Sequence, residues 1–293
     1  MSDRTLEARV PVVVILAQSH SGSHLLSQLL GAHSRCLAIG ELHNYDKFVH
    51  RKSRSGNVTA DYAHNVLFSG LESAPQQRWH ELILANARAG KASVSTLVDN
   101  SKRIAWCRKL LANPRLQVIP VHLIRDPRAM LRYWMLRYDT SRKLRRQRLR
   151  LARQAPLQAA RLLTCPPREL YLRKWLIDNR EMTRALRASG HADNVVTYHD
   201  LATSTEKALV ALMPRLGLDY EPAQLRYGEA IQHGTLKADY REASQSSQIR
   251  LDVRWQTFLS ESEARAVAED TRLAGYLAEL NLMLTPQGLT RRR

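Results

Sequence analysis

The sequence predicts a three-layer α/β fold, a central parallel sheet flanked by helices, and three observations carry that expectation. Apolar runs of four to eight residues alternate with segments of helical spacing from residue 12 to about residue 279. The first and longest runs are almost continuously apolar instead of alternating, which is the pattern of strands covered on both faces. The residues with the most chemistry stand where these runs end, and ligands of open α/β sheets bind outside the carboxyl ends of strands.

Each element can be justified in turn. Val12–Ala17 is a buried strand, Gln18–Gly22 a tight loop, and Leu25, Leu26, Leu29 and Leu30 recur at helical spacing. Cys36–Ile39 is a short strand ending in Gly40-Glu41-Leu42-His43, and residues 44–60 are polar and loop-like. Helical patterns cover roughly 61–72 and 78–89, followed by a strand at Ser93–Val98 that leads into Asp99-Asn100-Ser101-Lys102. A helix near 104–112 precedes the strongly apolar strand Gln117–Ile124, which runs into Arg125-Asp126-Pro127-Arg128 and a helix over about 128–138. The basic stretch 142–163 is helix-compatible, Pro166-Pro167 ends it, and a long helix spans about 168–188. Asn194–Tyr198 is the last strand, helices cover 204–216 and 260–279, and residues 228–250 are irregular and polar. Strands alternating with helices imply parallel pairing through right-handed crossovers.

No repeat or linker divides the 293 residues, so one domain over 1–293 is expected, with its core at about 10–280. A basic helical insertion at about 139–170 and a basic C-terminal tail at 285–293 complete it. No apolar run approaches the ~20 residues that span a bilayer. Met1–Arg9 is charged, and Val12–Ala17 is too short for a signal-peptide core. Cys36, Cys107 and Cys165 are odd in number and far apart, so neither a disulfide framework nor a zinc knuckle is expected, and a reducing, cytoplasmic setting is the default. The net charge of +18 predicts attraction to polyanions: nucleic acid, an anionic membrane surface or a multiply charged small ligand. Arg142, Lys143, Arg145, Arg146, Arg148, Arg150 and Arg153 fall in one segment without an acid, which is either a binding face or a solvated basic helix.

The loop Gln18–His24 places free N–H groups and a helix N-terminus over a strand end, a setting that favours an anion such as phosphate. It lacks the Walker A lysine and spacing, the dinucleotide glycines and the G-x-S-x-G elbow. His20-Ser21-Gly22-Ser23-His24-Leu25-Leu26 resembles the 5′-phosphosulfate loop of the sulfotransferase family. Val121-His122-Leu123-Ile124-Arg125-Asp126-Pro127-Arg128-Ala129 is similar to that family's 3′-phosphate signature, and Tyr198-His199-Asp200-Leu201 to its Tyr-Glu-Asp-Leu. Ile249, Asp252, Trp255 and Leu259 echo a late pattern, so the resemblance runs in order from residue 12 to about 280.

The resemblance implies a P-loop-NTPase-like fold and transfer of a sulfuryl group from 3′-phosphoadenosine 5′-phosphosulfate (PAPS) to a hydroxyl or amine acceptor, without a metal. It implies Ser19, His20, Ser21, Gly22, Ser23 and His24 at the 5′ end of that co-substrate, and Arg125 with Tyr133 at the 3′-phosphate. Gly40-Glu41 resembles the Gly-Glu of members in which the glutamate is the general base; the competing account is a capping or surface glutamate. Lys102 resembles a strand-end residue facing the reaction centre, or is a surface lysine.

Two positions depart from the pattern. His20 stands where the family has Arg or Lys, and it serves the leaving oxygen only when protonated, which a bound polyanion favours. It could alternatively act as a neutral donor, replace Glu41 as base, or mark an inactive enzyme. Tyr133 stands where serine is usual, as a more distant donor or as a packing residue. Gly234, Lys237 and Arg241 fall in the region of a nucleotide-closing loop without reproducing it.

The acceptor pocket is expected from 43–70 and 139–170, and a basic lining would suit an anionic saccharide or acidic peptide, or docking on an anionic lipid surface. The competing functions are a non-catalytic polyanion or nucleic-acid binder, carried by the charge, and a nucleotide phosphotransferase of related fold. A zinc site from His20, His24, Glu41 and His43 is disfavoured by unspecific spacing. No specific nucleic-acid partner is expected, and the sequence does not set the oligomeric state.

Overall fold

A computed structural model describes residues 9–46, 65–229 and 249–292. Five strands, β1 (Val10–Ala17), β2 (Cys36–Gly40), β3 (Thr96–Lys102), β4 (Leu116–Ile124) and β5 (Val195–Thr197), form one sheet. All neighbours pair in parallel, in the spatial order β2-β3-β1-β4-β5. The chain crosses over β1 between β3 and β4, so the carboxyl end of β1 lies at the point where the order switches direction. That is where an open α/β sheet leaves a crevice.

The described helices are α1 (Ser23–Gly31), α2 (Trp79–Gly90), α3 (Ile104–Leu111), α4 (Pro127–Arg137), α5 (Ser141–Gln154) and α6 (Ala159–Thr164). They continue with α7 (Pro167–Ala188), α8 (Tyr198–Thr203), α9 (Thr205–Leu212), α10 (Trp255–Phe258), α11 (Glu261–Ala268) and α12 (Thr271–Ala278). The two-residue period of β1 sorts its side chains between two cores. Val12, Val14 and Leu16 join Ile83, Trp106, Leu131, Trp175 and Tyr276 on one face of the sheet. Val13, Ile15 and Ala17 join Leu26, Leu29, Leu30, Leu209 and Leu212 on the other. The expected α/β architecture, a parallel sheet between helical layers, is the one observed.

Several boundaries differ from those the sequence predicts, each for a local reason. The helix expected at 61–72 is only a 3-10 turn at Val66–Phe68 within its described part, closed by Asn65 accepting from the Leu67 N–H at 3.0 Å. The helix expected over 260–279 is two, because Asp270 accepts from the N–H groups of Arg272 and Leu273 and so caps a new start. Pro156 divides the basic stretch into α5 and α6, and Pro214 turns the end of the 204–216 helix into a 3-10 turn at Met213–Leu216. The third strand runs on through Asp99–Lys102, residues that the apolar pattern alone assigns to the loop beyond it. The tail expected at 285–293 contains β7 (Leu289–Arg291), which forms an antiparallel hairpin with β6 (Leu282–Leu284) just before it. Leu282 and Leu289 are buried in the larger core, and Arg291 donates to the Val195 carbonyl at 2.6 Å. Cys36, Cys107 and Cys165 are buried and unpaired, and burial pushes the thiols of Cys36 and Cys107 up to about 12. Among the described residues no helix is long and apolar enough to cross a membrane.

Candidate functional site

The loop after β1 folds through two left-handed residues, His20 with φ 68° and Gly22 with φ 91°. Gly22 meets two demands at once. Its φ is unfavourable for a side chain, and a Cβ there would lie 2.5 Å from Cδ2 of Tyr198. Gly22 is also the N-cap of α1, and no side chain caps that helix end. Ser21 and Ser23 are buried at the foot of the loop, whereas Ser19 and His20 are exposed. His20 is strained backbone, and its ring stacks on Tyr133 with centroids 4.1 Å apart. The two departures from the family pattern therefore touch each other.

Arg125, directly after β4, reaches under this loop. It donates to the His20 carbonyl at 2.5 Å and to Asp252 Oδ2 at 2.6 Å, and lies 4.4 Å from the Tyr198 ring centroid. Its Nε is buried without an acceptor among the described residues. Hydrogen bonding from Arg254, assisted by the Arg125 charge, holds the Asp252 carboxyl well below the usual range.

Two strand irregularities position the other predicted residues. β2 and β3 slip register between Ala38 and Gly40, and β1 and β3 slip between Val14 and Leu16. Gly40 with φ 71° and Lys102 with φ 62° lie at the ends of the adjacent strands β2 and β3, where Glu41 and Lys102 meet. Lys102 Nζ and Glu41 Oε1 form an ion pair; His24 Nε2 lies 3.5 Å from the same oxygen, and Asn44 donates to Oε2 at 3.0 Å. Burial works against the Glu41 charge, but the His24 hydrogen bond and the Lys102 ammonium prevail and hold its carboxyl at about 2. His24 is fixed in turn by Asn100, 3.3 Å from Nδ1. Lys102 and Glu41 are thus partly buried partners of one cluster, not separate surface residues.

That cluster opens onto a cleft of about 470 Å³. Gln18, Ser19, Glu41, His43 and Lys102 line it at the strand ends; Gln147, Arg150 and Gln154 come from α5, and Lys174 and Asp178 from α7. The expectation of a broadly basic lining is corrected here. Helical spacing puts Gln147, Arg150 and Gln154 on the cleft, the last two still exposed, and Arg142, Arg145, Arg146 and Arg153 do not line it, while Arg148 donates to the Leu162 and Cys165 carbonyls. The half of the expected pocket at 47–64, like Gly234, Lys237 and Arg241, lies outside the described residues.

Sequence reasoning missed the charged pair on α7. Lys174 is bonded to Asp178, sits 4.4 Å from the Trp134 centroid, and burial lowers its pKa. Asp178 also accepts from Gln18 at 3.3 Å, and Asn179 links Gln18 Oε1 at 3.3 Å to buried His122 at 3.0 Å. This chain ties the phosphate-type loop to the long helix. Its only signal in the sequence is a Lys and an Asp four residues apart on the inward face of that helix. A second missed group, Asp99, lies fully buried, accepting from Trp106 at 2.8 Å and from the Ser101 N–H at 2.9 Å beside His80 at 3.2 Å. Ser101 in turn accepts from the His43 N–H at 3.2 Å, so Asp99 fixes the strand end that carries Lys102.

Comparison with known proteins gives the fold an identity. No protein-family model and no curated protein sequence matches the chain. Among solved structures, the sulfotransferase domain from the curacin biosynthetic pathway superposes with a TM-score of 0.53 at 18% identity, over 91% of this chain and 99% of that one. The sulfotransferase domain of the Synechococcus PCC 7002 olefin synthase gives a TM-score of 0.47 at 21% identity, over 90% and 97% of the two chains. A mouse sulfotransferase complexed with PAP gives 0.42 at 10%, over 93% and 89%. The first likeness shows that the chain has the sulfotransferase fold; the other two superpose too loosely to add to that.

Proposed function

We propose that the protein transfers a sulfuryl group from PAPS to an acceptor hydroxyl held in the cleft beside Glu41. The single observation that carries this reading is convergence. A glycine loop at a helix N-terminus, an arginine whose buried Nε has no acceptor among the described residues, and a Glu–Lys pair stand at four neighbouring strand ends, with Glu41 and Lys102 lining the cleft. The sulfotransferase fold supports it.

The residues fit such a donor in chemical terms. The helix N-terminus at the start of α1, with the Ser21 and Ser23 hydroxyls, suits the 5′-phosphosulfate. Gly22 lets the loop close against Tyr198 without a side chain in the way. Arg125 offers its fork to the 3′-phosphate once that phosphate displaces Asp252, and the buried Nε has no competing acceptor among the described residues.

The reaction then needs a base and an electrophilic partner on opposite sides of sulfur. Glu41 takes the proton of the acceptor hydroxyl, whose oxygen forms the new S–O bond. The bond from sulfur to the bridging phosphate oxygen breaks, and its electron pair leaves as adenosine 3′,5′-bisphosphate. Lys102, and His20 when protonated, would serve that developing charge. Lys102 is bound to Glu41 before donor arrives, so donor binding draws the ammonium away and leaves the carboxylate a stronger base.

Thermal unfolding with adenosine 3′,5′-bisphosphate tests donor recognition. Stabilisation of several degrees at 100 times Kd is expected from mass action, about 2.7 kcal/mol. A non-catalytic polyanion binder would respond equally to unrelated nucleotides and lose the effect with salt.

A further inference from the structure

We infer that the acceptor is a neutral, polyhydroxylated molecule of sugar type, selected by His43 and Gln147, which both line the cleft. The inference rests on the sulfuryl-transfer reading and narrows its acceptor.

Nδ1 and Nε2 of His43 and Oε1 of Gln147 are buried, and none has a hydrogen-bond partner among the described residues. Buried polar atoms are nearly always satisfied, so three unpaired ones around one opening mark groups that a ligand completes. His43 comes from the turn after β2 and Gln147 from α5, and both line the cleft that contains Glu41.

Donor and acceptor counting then selects the chemistry. Burial, with the Arg103 charge, lowers the His43 pKa to about 4, so the imidazole is neutral at physiological pH. A neutral imidazole has one N–H donor and one lone-pair acceptor, and an amide oxygen only accepts. The ligand must therefore supply at least two hydrogen-bond donors and one acceptor. The proton of the reacting hydroxyl goes to Glu41, so these donors belong to further hydroxyl groups. A carboxylate or sulfate accepts only and would leave both Gln147 Oε1 and the imidazole lone pair unpaired.

Charge points the same way. Most of the cleft's ionic groups are already matched, Lys102 with Glu41, Lys174 with Asp178 and Glu181 with Arg108, while Arg150 lies 3.8 Å from Asp178; Arg103, an exposed residue, is the lining cation without such a pair among the described residues. An anionic acceptor bound among the matched groups would have to break one of these pairs. The amides of Gln18 and Gln154, also on the wall, add the bidirectional hydrogen bonding that hydroxyls match.

The test compares acceptors with PAPS labelled in its sulfuryl group. Methyl β-D-glucoside and a neutral β-linked disaccharide are set against methyl β-D-glucuronide and 2-naphthol. Label on the neutral glycosides, with kcat/KM at least tenfold above the other two, is expected. Gln147→Leu should raise the glycoside KM about tenfold, the equivalent of one buried hydrogen-bond partner lost, and leave stabilisation by adenosine 3′,5′-bisphosphate unchanged. Gln147→Glu keeps an acceptor oxygen and should restore KM to within about threefold, which a merely structural role would not explain. If the bisphosphate stabilises the protein but the glucuronide or naphthol is sulfated as well as the glycosides, or no glycoside is sulfated, the inference is overturned. If the bisphosphate does not bind, the sulfuryl-transfer reading fails instead. Saturation-transfer NMR with methyl β-D-glucoside then decides the inference alone: signal lost in Gln147→Leu supports it, and no signal in the parent protein refutes it.

Discussion

The two ends of the site are built in opposite ways. The proposed donor end is a contiguous loop held by one glycine and one helix start. The proposed acceptor end is a cleft assembled from side chains of β3, α5 and α7 and of the turn after β2. Backbone cradles tolerate side-chain change but not a change of backbone shape, whereas side-chain clusters respond to single substitutions in proportion to the atom removed. The same contrast decides which end shows in a sequence.

Four substitutions probe this comparison, in descending order of effect. Glu41→Gln keeps the shape of the cluster and removes the base. Turnover should fall by about 10²–10⁴ while stabilisation by adenosine 3′,5′-bisphosphate persists. Loss of both together would make Glu41 a structural residue. Gly22→Ala attacks the other end: the left-handed backbone costs about 1–2 kcal/mol, and the new Cβ meets the Tyr198 ring. Its nucleotide-dependent rise in Tm should disappear, measured against the variant's own lower baseline.

Lys102→Met tests the pairing through pH. With its carboxyl at about 2, Glu41 is ionised throughout the neutral range, so its acid limb in kcat/KM lies far below neutral. Because that pKa is depressed from 4.5, the pair's stabilisation is present above about 4.5 and is lost as pH falls through about 2. Removing the ammonium takes away one of the groups that favour the ionised form, so the acid limb of Lys102→Met should move up. An unmoved limb would show that Lys102 does not govern Glu41. The smallest effect belongs to Asp252→Asn, which removes the carboxylate that competes for Arg125. Affinity for the bisphosphate, read by titration calorimetry, should rise about threefold to tenfold, and a fall would mean that Asp252 instead preorganises the arginine.

Legibility follows the same division. Val12–Ala17, the small residues up to Gly22 and the leucines of α1 announce a strand, loop and helix because each feature is local and periodic. Arg125 is found at its strand end for the same reason. The partnership of Glu41 with Lys102 is not legible, since it depends on two register slips that no single-strand pattern records. Nor are Lys174, Asp178 and Asp99, because a buried ion pair on a long helix looks in sequence like any surface pair four residues apart. The arginine run misleads in the reverse direction: its composition is conspicuous, but the helical period leaves most of it facing away from the cleft.

The most direct measurement follows label from sulfuryl-labelled PAPS into a panel of hydroxyl acceptors, with the parent protein and Glu41→Gln side by side. Sulfuryl transfer with Glu41 as base predicts labelled acceptor and stoichiometric adenosine 3′,5′-bisphosphate from the parent and a loss of at least about a hundredfold in the variant. Equal label in the two proteins, or none from the parent when the bisphosphate demonstrably binds, would contradict it.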